Sequence, residues 1–563
     1  MIPTRKIIHI SCFVTLIAVC STLGVNYSKA QTPLDEDITV IAPYEPIIRE
    51  AEKINIQPRI EEVTRQLPKM DISITPQKLS VSLPTEIQEA AIPPAATPAM
   101  LFRNLISAGF GNYTTPFLQF VANTKHNPRF SASLQLRHLS SHGQIRNYGY
   151  SGYSDNSASI AGRIIGKRQT IGASLHYDRN TLHHYGFLAD SFPTPLWDLS
   201  KENIMQRFHT AGGNVAIESN AGHNRFRFNT RAGYRYFADR FSTTEHNAAV
   251  QLGATLPVRL FGGVDKQDLS AALTFANFST IDSVETRNNL VAGLQPQFAI
   301  RYNEYELKVG LLLSVASDTS ATVHVFPHAE AKLHVVKNRF TILAGIGGQV
   351  EQNSFHSLAQ SNPFVASRLE LYNSIEKFRF YGGISATPLN RLNLRIELAN
   401  SVKNNMPLFI NDTIAPGNRF LVLYDNMNIV RGSMELTYEL TDILSIRAGG
   451  NYFVFTPDTQ DKAWHRPDYD LFLEGRYSFL ERWTVSSRFR LMGPSYAKMY
   501  QNGQPQQVQV KGWADLSAHA TYQFNNQLHF FLAGNNLTGH RQFYWNQFPS
   551  QGINLIIGAG FSF

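Results

Sequence analysis

The last dozen residues set the strongest constraint on this chain. From Gly552 to Phe563, the residues Ile553, Leu555, Ile557, Ala559, Phe561 and Phe563 put an apolar group at every second position, and the chain ends on an aromatic. Between them lie Asn554, Ile556, Gly558, Gly560 and Ser562, which are mostly small or polar. A period of two is a strand period, so this segment has one apolar face and one mixed face. The two faces need different surroundings.

The same alternation recurs upstream from about Asn104. Phe130, Ala132, Leu134 and Leu136 alternate with Ser131, Ser133, Gln135 and Arg137; Ile171, Ala173, Leu175 and Tyr177 alternate with Thr170, Gly172, Ser174 and His176. Met434, Leu436, Tyr438 and Leu440 likewise face away from Ser433, Glu435, Thr437 and Glu439. A soluble sandwich would cover such apolar faces with a second sheet, whereas a membrane barrel turns them to lipid and lines its lumen with the polar set. The connections separate these cases. Short joints at 166–169, 220–222, 302–304, 336–338, 441–442, 480–481 and 525–526 alternate with long ones near 141–154, 179–202, 352–373, 402–427, 456–466, 497–506 and 538–551. Short turns on one side and long loops on the other are the outer-membrane pattern, and counting back from a periplasmic C-terminus gives about 11 outer loops and about 22 strands. The expected fold is therefore all-β, a transmembrane outer-membrane β-barrel of antiparallel strands over residues 104–563. Outer-membrane lipid is its solvent. Tyr177, Tyr236, Tyr452, Tyr477, Phe479, Tyr522 and Phe524 fall near predicted strand ends, where aromatics form belts at the headgroups. Phe561 and Phe563 form the terminal aromatic signal expected to engage barrel-assembly machinery during biogenesis.

The other end of the chain is different. Arg5 and Lys6 precede an apolar stretch from Ile7 to Val25, and Ser28-Lys29-Ala30 leads into Gln31, so residues 1–30 are expected to be a secretory signal peptide. Both cysteines, Cys12 and Cys20, lie in it, which leaves no thiol downstream for a disulfide or a thiolate metal site. Residues 31–103 are rich in proline, which interrupts ladders and long helices, and read as an extended periplasmic arm. Residues 31–98 hold 11 acidic and 6 basic residues although the whole chain carries a formal charge of +8. The basic excess therefore belongs to the strands, interleaved with apolar residues rather than clustered on a helix, which argues against nucleic acid as a partner.

Two stretches resemble one family. Asp37-Ile38-Thr39-Val40-Ile41-Ala42-Pro43 resembles the TonB box of TonB-dependent outer-membrane receptors, the extended strand that pairs with a periplasmic energy transducer. Its β-branched run suits strand addition while Asp35, Glu36 and Asp37 keep it solvated. Phe530 to Thr538, with Arg541 to Tyr544, is similar to the penultimate strand and Asn-Asn-Leu loop of the same family. The resemblance implies a Gram-negative outer membrane, substrate uptake, and a TonB-like partner. It also implies a globular plug, for which only about 70 residues lie between the expected signal peptide and the first strand. A complete plug does not fit there, so the arm, the loops or partner proteins are left to close a wide lumen.

One strand carries the most suggestive charge pattern. Arg225, Arg227, Arg231 and Arg235 share a face with Asn229, opposite Phe226, Phe228, Thr230, Ala232, Tyr234 and Tyr236, so they are expected to line the lumen. Arg163, Arg447, Arg476, Arg488 and Arg490 extend this lining, which would favour anionic solutes or an acidic polypeptide. An ion-pair lattice with Glu435, Glu439 and Glu474 is the competing arrangement. No enzyme is expected: His183 and His184 adjoin without an evident third ligand, Gly345-Ile346-Gly347-Gly348 sits in a strand pattern, and no nucleophile elbow is evident. No cofactor and no metal site is expected. Two functions are carried forward. One is receptor-like uptake or passage of a substrate; the other is a structural or assembly component that recruits partners through its arm.

Overall fold

The computed structural model describes residues 104–563 apart from 125–126, 144, 193–197, 221–224, 319 and 502. The leader, the arm and the Asp37 to Pro43 segment lie outside the described residues.

Alternating sequence becomes alternating exposure along 22 barrel strands. The first eleven are β1 (Asn104–Gly111), β2 (Thr115–Asn123), β3 (Phe130–Ser141), β4 (Tyr153–Ile165), β5 (Gln169–His183), β6 (Met205–Ser219), β7 (Arg227–Ala238), β8 (Thr244–Pro257), β9 (Lys266–Ile281), β10 (Thr286–Tyr302) and β11 (Tyr305–Ser317). The others are β12 (Ala321–Val336), β13 (Phe340–Glu351), β14 (Ser374–Leu389), β15 (Leu392–Asn411), β16 (Phe420–Thr441), β17 (Leu444–Pro457), β18 (Tyr469–Phe479), β19 (Trp483–Met492), β20 (Trp513–Gln523), β21 (Leu528–Asn535) and β22 (Asn554–Ser562). Each pairs antiparallel with its neighbours in sequence, and β1 pairs with β22 from Leu105↔Ser562 to Gly111↔Ile556. That last ladder closes the sheet and leaves no edge. Asn104 and Phe563 exchange backbone hydrogen bonds of 3.1 and 3.0 Å, so both ends of the barrel meet at one rim, called here the terminal rim.

Turn chemistry follows sequence at that rim. The two-residue connection between β10 and β11 carries Asn303 at φ 51°, a left-handed conformation that asparagine tolerates and that matches strand twist. Loops at the opposite, distal rim are mostly longer, and the one after β13 includes the helix α1 (Phe355–Ser361). Among the described residues no helix is long and apolar enough to cross a membrane.

Outward positions are apolar on every side of the cylinder. Leu175 is 63% exposed, Leu398 58%, Val323 72% and Ile557 68%, alongside some sixty other large exposed hydrophobics. Such a surface far exceeds the patches that soluble proteins tolerate, and only lipid satisfies it. A cluster of aromatics on three adjacent strands bounds it at the terminal rim. There Tyr477 stacks on Phe479 at 5.3 Å, Phe479 on Trp483 at 6.2 Å, and Trp483 meets Tyr522 at 4.8 Å.

Two expected boundaries moved. Residues 402–427 were read as one loop, yet β15 runs to Asn411 and β16 resumes at Phe420. Leu408, Phe409 and Ile410 are all buried there, so neighbouring positions on both faces are apolar and the alternation that marks a lipid-facing strand is lost. The long segment around 497–506 is a hairpin, Ser495–Gln501 with Gln504–Val510.

Candidate functional site

The lumen wall combines charges from neighbouring strands. Tyr234 of β7 and Phe226 just before it point outward at 51% and 54% exposure, which puts Arg227, Asn229, Arg231 and Arg235 on the inner face. Arg225 lies in the turn before the strand rather than on it. Arg227 pairs with Asp268 at 3.3 Å and Arg235 approaches Glu245 at 3.8 Å. Arg231 stands opposite Gln251 and Ala216.

Elsewhere the wall is a lattice of ion pairs. Glu397 accepts from Arg379 and Arg431, both at 2.7 Å, and from Arg395 at 3.4 Å. Arg447 bridges Glu435 at 2.8 Å and Glu474 at 3.7 Å, and Glu474 also holds Arg488 at 2.7 Å. Four of the five arginines expected to extend the lining, Arg447, Arg476, Arg488 and Arg490, share one concavity of about 860 Å³ with Glu439, Asp470, Glu474 and Asp515. The fifth, Arg163, is remote from them on β4. Carboxylates therefore balance the arginines in this concavity, and the lattice arrangement describes it better than a purely positive lining.

The distal loops build a second feature that has no periodic signal in the sequence. Phe208 and Phe237, inward residues of β6 and β7, stack at 5.4 Å and meet Phe355 of α1 at 6.4 and 5.4 Å. The same buried cluster continues through Leu358, Val365 and Leu369 to Phe409, Phe420 and Phe548. Phe364 stacks on Phe548 at 3.9 Å, and Phe420 touches both Phe548 and Trp545. In the sheet order eight strands lie between β7 and β16. For a barrel of this strand number, on the order of 40 Å across, those walls are opposite each other. The loop core therefore crosses the mouth.

Buried polar groups fix it in place. Tyr185 donates to the carbonyl of Pro549 at 2.9 Å, and Asn418 to that of His184 at 2.6 Å. Gly186 packs against Phe548 so closely that a Cβ would sit 2.4 Å from the ring, so only glycine fits. Ser354 and Ser357 form a capping box at the start of α1, and Glu245 accepts from the backbone of His356 at 3.3 Å. Asn289 and Asn373 exchange side-chain hydrogen bonds of 2.7 and 3.1 Å, tying the loop to β10.

Three histidines of this cap are held neutral. Burial pushes His465 down to about 4, against the bond that its Nδ1 donates to the carbonyl of Phe409 at 3.0 Å, while Nε2 accepts from the backbone of Asn546 at 3.3 Å. Burial and the nearby Arg235 guanidinium bring His356 to about 4, and burial with Arg419 brings His184 to about 3. His183 lies beside it, its Nδ1 on the carbonyl of Gly152 at 2.6 Å. Gly345 to Gly348 lie within β13, as expected of strand residues.

Under the cap, between the β4 to β8 wall and α1, lies a chamber of about 1020 Å³. Asp155, His176, Asp178, Asn180 and Arg235 face it from the wall, and His356 and Gln360 from the helix. The sequence reading missed both cap and chamber. The clusters Phe543-Tyr544-Trp545 and Phe364-Val365 in otherwise polar loops were the available signal, because solvated loops rarely carry so many large apolar groups.

No protein-family model matches this chain and no curated protein does. Solved structures do. The pyoverdine outer membrane receptor FpvA from Pseudomonas aeruginosa is 13% identical at a TM-score of 0.62, covering 83% of this chain and 79% of that one. The FrpB iron transporter from Neisseria meningitidis is 10% identical at 0.62, and the ferric-catecholate import receptor Fiu from E. coli 11% at 0.61; each covers 83% of this chain and 82% of its counterpart. The barrel has the fold of TonB-dependent siderophore receptors. That fold agrees with the expectation from Phe530 to Tyr544 and from the strand count. Within this barrel it is the distal loops, with α1, that cross the mouth.

Proposed function

We propose that this chain is an outer-membrane receptor-like barrel for the uptake or passage of a polar substrate, entered through the distal loop cap. The observation that carries this reading is a 22-stranded barrel with an apolar outer surface, whose charged wall leads to a chamber under a loop core. A cap with its own hydrophobic core is a discrete element that can open and close as a unit. The siderophore receptors that share the fold make ferric chelates the first substrates to test. Asp37 to Pro43 is the proposed contact for a TonB-like transducer, and Phe561 and Phe563, whose rings face outward at the terminal rim, are the proposed assembly signal. Deleting Asp37 to Pro43 is expected to abolish energy-dependent uptake of radiolabelled ferric siderophores while barrel abundance in outer membranes stays the same. Uptake that survives the deletion would mean passage without a transducer.

The closed mouth also favours a second reading, in which the barrel is an assembly component that recruits partners through its arm. Affinity purification from intact outer membranes separates the two. Stoichiometric partners that vanish when residues 31–99 are removed would support it.

A further inference from the structure

The exterior of β4 to β8 carries an apolar groove. Large residues there surround a groove of about 1030 Å³ floored by small ones, among them Ala173, Ala211, Gly213, Ala232 and Ala248. Ile160, Leu175, Val215, Tyr234 and Val250 form its sides. Gly213 is the low point, since a Cβ there would sit 2.5 Å from the Leu175 side chain. Five adjacent strands at about 4.8 Å spacing make this surface nearly 20 Å wide, broad enough for more than one acyl chain.

Register places a graded series of groups above the groove. Leu175, Gly213, Tyr234 and Ala248 form one outward row across β5 to β8. One step toward the distal rim the row is Tyr177, Ala211, Tyr236 and His246, and the next is Asn156, Arg179 and His209. Arg207 follows, opposite Thr181. Their direction is fixed by their neighbours, because Gln206, Phe208 and Thr210 are buried on the inner face of the same strand. The hydroxyl of Tyr177 bonds His209 Nδ1 at 2.9 Å and that of Tyr234 bonds His246 Nδ1 at 2.6 Å, so the aromatic row is internally braced.

The two arginines are different. Neither Arg179 nor Arg207 forms an ion pair among the described residues, the Nε of each is shielded from solvent without a hydrogen-bond partner, and the Nη2 of Arg207 reaches the weakly accepting sulfur of Met205 at 3.6 Å. Asp155 and Asp178, the acids of the neighbouring strand positions, face the chamber inside. Two guanidiniums without a carboxylate partner among the described residues, above an apolar groove at the headgroup level of a membrane, complement a phosphorylated headgroup with its chains below. The distal rim faces the outer leaflet when the terminal rim is periplasmic. We infer that Arg179 and Arg207, with the groove below them, form a binding site for the phosphorylated glycolipid of the outer leaflet, a lipid A-type molecule with several acyl chains. This rests on the proposed outer-membrane placement of the barrel.

The test uses the full chain purified in neutral detergent, titrated with lipid A, with dephosphorylated lipid A and with phosphatidylglycerol, and read by native mass spectrometry. Lipid A is expected to bind tightly. The variants R179Q and R207Q are each expected to bind it roughly tenfold more weakly or worse, since charge-assisted bonds to phosphate are worth more than one neutral hydrogen bond. Ala232→Trp fills the groove from the lipid side without touching either arginine and is expected to weaken binding as well. Equal affinity for lipid A and its dephosphorylated form, equal binding by wild type and the double arginine variant, or a preference for phosphatidylglycerol would overturn the assignment. Insertion of the same preparations into vesicles is scored separately. Failure to insert would count against the membrane placement, whereas insertion with indifferent lipid binding counts against the site alone.

Discussion

His465 lies where three parts of the cap meet, and its protonation state is coupled to the packing around it. Its two ring nitrogens are used by the backbone of Phe409 and Asn546, and its ring touches Phe420 and Trp545 at 5.2 Å each. A proton on Nε2 would remove the acceptor that Asn546 needs and leave a charge in an apolar core. The sign of the pH effect follows. Above the ordinary histidine value of about 6.5 both the folded and the opened cap hold a neutral ring, so nothing is lost. Below it the opened loop binds a proton that the closed cap excludes, and stability falls until the pH reaches about 4. A displacement of this size is worth on the order of 3 kcal/mol for one such histidine. His356 at about 4 and His184 at about 3 add in the same direction. Hydrogen-exchange protection factors of residues 353–373 and 536–553, corrected for the intrinsic pH dependence of amide exchange, are therefore expected to fall as pH drops from about 6.5 to about 4, with those of the barrel strands unchanged. In H465Q part of that acid sensitivity should disappear, and protection factors that are flat with pH would show that the ring does not control the cap.

At the scale of elements, β22 links biogenesis to closure. Phe563 donates to and accepts from Asn104 beyond the end of the ladder, and its ring stacks with Phe561 at 6.0 Å on the outer surface. Removing Phe563 costs one pair of terminal hydrogen bonds and an exposed aromatic, a small loss for the finished barrel. Its deletion is nonetheless expected to lower the amount of assembled, heat-modifiable barrel in outer membranes severalfold while the purified barrel melts as before. Equal loss in both would mean that Phe563 acts on stability alone. The strands were legible because each one separately solves the same problem, lipid outside and polar lumen inside, and that solution is written with period two into nearly every strand. The cap was not legible because its contacts are nonlocal: Tyr185 and Pro549 are 364 positions apart. At Leu408 to Ile410 and Leu421 to Leu423 the strands leave lipid and enter the packed region under Trp464, so both faces turn apolar and the pattern vanishes. Arginine pairing was half legible. Alternation put Arg227, Arg231 and Arg235 on one face, but cross-strand register decides that Arg227 and Arg235 meet carboxylates while Arg231 faces Gln251.

For the whole molecule the open question of a wide barrel is what prevents it from leaking. The lumen of a barrel on the order of 40 Å across would pass small solutes freely, and the loop core is the described element that obstructs it. Phe420 is fully buried at the centre of that core and Phe548 is 3% exposed. Truncating either to alanine removes about 3–5 kcal/mol of packing, enough to shift a loop layer that is not part of the closed sheet. In planar bilayers the wild-type chain is expected to conduct weakly, and the double variant F420A/F548A to show larger and more frequent openings while keeping its strand content. Removing residues 31–99 is the complementary measurement. If the acidic arm also obstructs the lumen, the truncated chain will conduct more than wild type, and combining the truncation with the cap variant will give the largest conductance of all. If the cap alone seals the barrel, truncation leaves conductance where it was and only the cap variant opens it. A wild-type chain that already conducts like an open pore would show that the loop core does not seal the mouth.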